Sequence, residues 1–190
     1  MHASWPRDKI LSMKFALLTL LACLSVGTRF FAQEPQPPPS ASPETYVQAG
    51  MSSGDQLRIV TKDGRVILPE RQPQQVSFDK ITISPDGHAV AWQAAFPNCC
   101  TWYPLPLQVV VYSNGQERRF SGNQLPIWRW AFQAGGKQVA FEQQTVHGGL
   151  GVQYELRDVA TGQLVAEYNP DPKAAATDAP KWVTELNTKK

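Results

Sequence analysis

The chain has 190 residues and a formal charge of +2, enough for one ordinary domain with tails and a core that is stable without metal or disulfide staples. The first 32 residues hold four basic side chains (Arg7, Lys9, Lys14, Arg29) against one acidic (Asp8), and taking these from the 18 basic and 16 acidic leaves 14 and 15. A near-neutral remainder with no basic cluster excludes a nucleic-acid partner.

In chain order, the first predicted element is an export signal over residues 1–32. Lys14 precedes an apolar run from Phe15 to Val26, the length of a signal-peptide hydrophobic region and too short for a typical membrane span, with Met13 as a candidate start. Small residues at Ser25 and Gly27, or Ala32, offer cleavage points. The run Leu20-Leu21-Ala22-Cys23 resembles a bacterial lipobox, so lipidation at Cys23 is the alternative fate. The expected address is periplasmic or secreted, with membrane attachment only through a lipid on Cys23. Residues 33–45 read as a spacer, because Gln33 to Ser42 is Pro-, Gln- and Ser-rich and cannot bury apolar surface.

From Tyr46 to Tyr168 the signals are β throughout. Asp63-Gly64 lies between Leu57–Thr61 and Arg65–Leu68, and Asn114-Gly115 between Leu107–Ser113 and Gln116–Phe120. Such dipeptides supply the positive φ that two-residue hairpin turns require. Two segments then resemble each other, Ile81–Trp92 (ITISPDGHAVAW) and Trp130–Phe141 (WAFQAGGKQVAF), with Gly87 and Gly136 separated by 49 residues. Each predicts a hairpin, and Tyr154–Val159 with Leu164–Tyr168 predicts the last one. Joined to the hairpin that follows it, each duplicated segment makes a four-stranded antiparallel unit, present twice with half a unit in front. Alternation places Val90 and Trp92 on one face and Ala89 and Ala91 on the other, with Val139 and Phe141 repeating the large face. Residues 169–190 read as a polar tail with room for one short docking helix around Trp182, Val183 and Leu186.

The run Ile83-Ser-Pro-Asp-Gly-His-Ala-Val-Ala-Trp92 resembles the repeat of TolB-like and WD40-like β-propellers, and Tyr154–Tyr168 resembles the outer hairpin of such a blade. The second copy departs from the pattern with Gln133-Ala-Gly-Gly136. The resemblance covers about Leu57 to Tyr168 and implies an all-β antiparallel meander of two four-stranded blade-like sheets plus an N-terminal hairpin. Two and a half units cannot close a ring. The expectation is therefore an incomplete propeller packed within the chain as a small sandwich or irregular barrel, or else a ring completed by a homo-oligomer.

Candidate site residues gather in two loops, 94–106 and 143–151, which occupy the same place in the two units and should open on one side. They carry Cys99, Cys100, Trp102, Tyr103, His147, Gly148 and Gly149. Adjacent cysteines in an exported protein can form a vicinal disulfide, remain thiols or link two chains. As metal ligands with His147 they lack the usual spacer, and no orienting carboxylate or oxyanion motif accompanies them for nucleophilic catalysis. Trp102 and Tyr103 lie in a Pro-bracketed loop, either as a lid on the core or as an exposed contact. His88 and Asp86 read as turn residues, and Trp92, Trp128 and Trp130 as packing. Two functions follow. One is a non-enzymatic extracytoplasmic binding module for protein, peptide or glycan, needing no cofactor. The alternative is a redox or metal-binding accessory protein using Cys99, Cys100 and His147.

Overall fold

A computed structural model describes residues 43–100, 102–123, 125–148, 151–171 and 178–188. The expected signal segment 1–32 with Cys23, and all but the last three residues of the spacer 33–45, lie outside the described residues.

Three antiparallel sheets follow one another along the chain. The first is β1 (Tyr46–Met51), β2 (Leu57–Thr61) and β3 (Val66–Ile67), in that order. The second runs β4 (Ser77–Ile83), β5 (Val90–Phe96), β6 (Leu105–Ser113) and β7 (Gln116–Phe120). The third runs β8 (Ile127–Gln133), β9 (Gln138–Gln143), β10 (Gln153–Asp158) and β11 (Leu164–Tyr168), and a helix, α1 (Lys181–Thr188), follows it. The all-β incomplete propeller-like fold expected from the repeat is present, with no closed barrel among the described residues. The N-terminal hairpin has gained β1, which pairs with β2.

The sheets stack face to face, and the faces divide as alternation predicts. Val90 and Trp92 meet Leu57, Ile59 and Tyr46 of the first sheet. Ala89 and Ala91 face the other way and receive Phe132, Val139 and Phe141 of the third. Large side chains of one sheet thus fill the space left by alanines of the sheet before it, which keeps interior packing dense without overfilling it. The small face of the third sheet, with Ala131 and Ala140, receives Val183 and Leu186 of α1.

Turn chemistry explains the local geometry. Asn114 and Gly115 both adopt positive φ (50° and 76°), as a two-residue hairpin turn requires. Asp63-Gly64 departs from that expectation. Gly64 alone of the two has positive φ, and the connection widens to four residues because the Asp63 carboxylate accepts from the Thr61 hydroxyl, while the Thr61 amide donates to Arg65 across the loop (3.0 Å). In the Ser84-Pro85-Asp86-Gly87 turn the Asp86 carboxylate accepts from the Ser84 hydroxyl (2.6 Å) and the His88 amide (3.0 Å). His88 is half-buried rather than an exposed turn residue, since its Nδ1 donates to the Glu44 carbonyl (2.8 Å) and ties down the start of β1.

The glycine that the second copy keeps from Ser-Pro-Asp-Gly has a steric role. Gly136 is buried with φ 114°, and a Cβ there would stand 2.7 Å from Asp86 Oδ1 and 2.8 Å from Ser84 Cβ. The second turn rests on the first, and only glycine permits it. Gly136→Ala is expected to lower stability by about 2 kcal/mol, read as a shift in urea midpoint at constant slope. An unchanged midpoint would show that the two turns do not bear on each other.

Candidate functional site

The first predicted loop is shorter than 94–106 and the second is displaced by one residue from 143–151, because β5 continues to Phe96, β6 begins at Leu105, β9 ends at Gln143 and β10 begins at Gln153. What remains is 97–104 and 144–152. Their bases lie at one end of the stack, and Trp128 on β8 connects them. Its indole Nε1 donates to the Gln144 carbonyl (3.0 Å) at the foot of one loop. With Pro104 of the other loop and Pro106 on β6, Trp128 also lines an open cavity of about 570 Å³ that includes Gln93, Asp79 and Lys80. Sequence reasoning assigned Trp128 to packing alone, since nothing in a single sequence separates a core indole from one that braces a loop.

Cys99 and Cys100 are exposed and joined to each other in a vicinal disulfide. A link between neighbours closes the smallest of loops, so it removes little chain entropy from the unfolded state and acts locally, on the stiffness of 97–104. Two residues on, Trp102 is fully exposed and Tyr103 about half exposed. Trp102 is therefore exposed and not a lid on the core. His147 and Gly148 are exposed at the tip of the other loop, where the Gly148 amide donates to the Thr145 carbonyl (3.2 Å) with Gly148 at φ 71°. Gly149 lies outside the described residues. Among the described residues no group of three or more His, Cys, Asp and Glu side chains is placed to hold a metal ion.

Beneath the rim is a polar network that the sequence reading missed. Gln143, at the end of β9, is fully buried. Its Oε1 accepts from the Asn123 amide (2.8 Å) and its Nε2 donates to Glu155 Oε1 (2.8 Å), while Arg157 Nε donates to Glu155 Oε2 (2.7 Å). A Cβ on Gly122 would lie 1.8 Å from Gln143 Oε1, so glycine is required beside the buried amide. The network fixes the strand end from which the 144–152 loop departs. A buried carboxylate that is satisfied in this way rigidifies its surroundings and is costly to leave unpaired. The only trace in the sequence is polar residues at inward positions of strands, a weak signal without knowledge of pairing.

The opposite end of the stack holds a cleft of about 410 Å³ between the second and third sheets, lined by Asp86, His88, Glu117, Arg118, Lys137 and Asp158 among others. Several of these groups are already occupied within the fold. Arg118 donates to the carbonyls of Ala160 (2.6 Å) and Thr161 (3.3 Å), and Asp158 accepts from the Thr161 amide (2.7 Å) and hydroxyl (2.8 Å). Those last two bonds hold the Asp158 carboxyl below the usual carboxylate range. Burial opposes the same effect at Asp86, but hydrogen bonds from Ser84 and His88 outweigh it and lower that carboxyl too. A carboxyl depressed in the folded state adds stability above its unfolded pKa of about 4, which is lost as pH falls through the folded value. The urea midpoint should therefore fall on acidification below about pH 4, and less steeply in Asp158→Asn. An identical acid slope in that variant would remove Asp158 from the explanation.

No protein-family model matches the chain, and no curated protein matches it. Among solved structures it is similar to one described as a eukaryotic initiation factor (TM-score 0.44, 17% identity, covering 69% of this chain and 30% of that one). It is also similar to hydrazine synthase of Kuenenia stuttgartiensis (TM-score 0.41, 19% identity, 67% and 34%). A third is a catalytically inactive virginiamycin B lyase from Staphylococcus aureus with quinupristin (TM-score 0.38, 14% identity, 68% and 43%). The chain spans less than half the length of each of these, and none of their activities is carried over to it.

Proposed function

We propose that the protein is an exported, non-enzymatic binding module of the TolB-like and WD40-like repeat type, which contacts a protein, peptide or glycan through the loops 97–104 and 144–152. The observation that carries this reading is Trp102, a fully exposed indole on a loop stiffened by a vicinal disulfide and flanked by Pro97 and Pro104. Exposing so large an apolar surface gains the folded chain nothing, whereas Trp and Tyr on rigid loops are the side chains that anchor interfaces. Export rests on the apolar run Phe15–Val26, and the spacer 33–45 would separate the module from its cleavage point or from a lipid on Cys23.

The test is the double variant Trp102→Ala/Tyr103→Ala of the exported protein. Its unfolding free energy should stay within about 0.5 kcal/mol of wild type, as for surface substitutions, while partners recovered from the extracytoplasmic fraction are lost. Recovery of the same partners by both proteins would count heavily against the rim. The exposed Cys99–Cys100 pair favours one half of the alternative reading, a redox accessory. A thiol count on the native protein with and without reductant decides it, and two titratable thiols before reduction would contradict it.

A further inference from the structure

The strands β4 and β8 are edges of their sheets, and no described strand pairs with the outer side of either. Between them lies a groove of about 460 Å³, with Ile83, Pro85, Trp130 and Phe132 among its apolar walls and Lys80 and Arg129 as its charged groups. Those two cations stand 49 residues apart, the same interval as Gly87 and Gly136, so the repeat places a positive side chain at the equivalent position of both edges. Each also stands at a register irregularity, between Asp79 and Thr82 in β4 and between Ile127 and Arg129 in β8. A cation and a bulge on an open edge discourage pairing with another strand, which is enough to explain either one alone. It does not explain two cations lining one apolar groove.

Their charges are only partly answered within the fold. Arg129 Nε lies 3.1 Å from Glu142 Oε2, and its Nη1 donates to Asn187 Oδ1 (3.1 Å). Lys80 Nζ donates to the Trp128 carbonyl (2.6 Å), a neutral acceptor, and the neighbouring Asp79 carboxylate accepts from the Ser77 hydroxyl (2.6 Å). Burial first, and the Arg129 charge second, lower the pKa of the Lys80 amine. The Asp79 and Glu142 carboxylates act on Lys80 in the opposite sense, so its charge is answered in part, and Lys80 and Arg129 remain the charged groups that line the groove beside its apolar walls.

We propose that the β4–β8 groove binds a small amphiphilic carboxylate, with its anionic head between Lys80 and Arg129 and an alkyl or aryl body against Ile83, Trp130 and Phe132. The volume falls in the range of small-molecule sites, roughly 300–1,000 Å³, and a mainly apolar lining with a few converging polar groups is their usual composition. Charge sets the sign of the ligand and the apolar walls its body. The groove shares Lys80 with the cavity at the foot of the loops, but its apolar walls lie on β4 and β8 and in the turn after β4, outside both loops.

Calorimetric titration of the full chain with decanoate, decylammonium and decanol tests this. Decanoate should bind saturably at one site, with the other two at least about tenfold weaker, the factor expected when one charge-assisted contact is lost. Lys80→Gln should weaken decanoate about tenfold. Thr82→Phe, which fills the groove from an exposed position of β4, should abolish binding, and both variants should keep the wild-type melting temperature. No saturable decanoate binding, equal binding of decylammonium, or decanoate affinity within twofold of wild type in both variants would each overturn the proposal. Trp102→Ala should leave decanoate affinity unchanged, which separates failure here from failure of the rim.

Discussion

Replacing Leu186 by aspartate is expected to undock α1 and lower stability by about 3 kcal/mol or more. Eight residues are too few for a helix to persist alone in water, so α1 exists because Val183 and Leu186, both nearly inaccessible, are buried on the third sheet. Its polar ties to the third sheet are exposed or long, the Arg129 Nη1 bond to Asn187 Oδ1 (3.1 Å) at the surface and the Gln133 Nε2 bond to the Trp182 carbonyl at 3.4 Å, and the Lys181–Glu185 pair (3.5 Å) lies within the helix. A charge at position 186 cannot be buried unpaired, and undocking uncovers Ala131, Ala140, Tyr154 and Leu156 together. That apolar face is where a further sheet would stack in a longer repeat. The variant should therefore sediment as dimers or larger species at concentrations where wild type is a single chain. Wild-type stability combined with an unchanged sedimentation coefficient would mean that α1 does not terminate the stack.

The second large effect is expected at the buried carboxylate under the rim. Arg157→Leu removes the cation from Glu155, whose side chain is only 3% exposed against 29% for Arg157, and leaves it the neutral Gln143 amide as a donor. Breaking such a pair costs about 3 kcal/mol, whereas replacing both members by apolar residues is often close to neutral. Arg157→Leu should thus be strongly destabilising and Glu155→Leu/Arg157→Leu much less so, with the difference read from urea unfolding as a coupling energy. Equal losses in the single and double variants would show that the carboxylate is not the reason for the cost. Because the network holds the end of β9, the single variant should also speed amide exchange in 144–148.

Much of the fold is legible in the sequence because strand alternation and turn residues are local signals. Val90, Trp92, Ala89 and Ala91 divide between two faces by periodicity alone, and Asn114-Gly115 can hardly be anything but a tight turn. The strand β1 escaped, since Tyr46–Met51 has neither strict alternation nor a tight turn after it, and it is fixed by distant partners: the Tyr46 amide donates to the Gly87 carbonyl (2.8 Å) and the Tyr46 hydroxyl accepts from the Asn114 amide (3.1 Å). Gly136 shows the same limit. The repeat marks it as a turn glycine, but its contact with Ser84 and Asp86 about fifty residues away is in no local pattern. Of the candidate site, the two loops and their exposed aromatics were visible as breaks in the β pattern, but what supports them was not. Trp128, Gln143 and Glu155 act through pairings across strands, and a single sequence does not encode which polar residue meets which.

The binding role of the rim is tested most directly by photo-crosslinking from position 102 in cells that make and export the protein, with position 165 as control. Val165 is also exposed, about half, and lies on β11 away from both loops. The expected result is a discrete crosslinked species from position 102 and none from 165. No adduct from 102, or the same adducts from both positions, would contradict the assignment of the Trp102 loop as the contact surface.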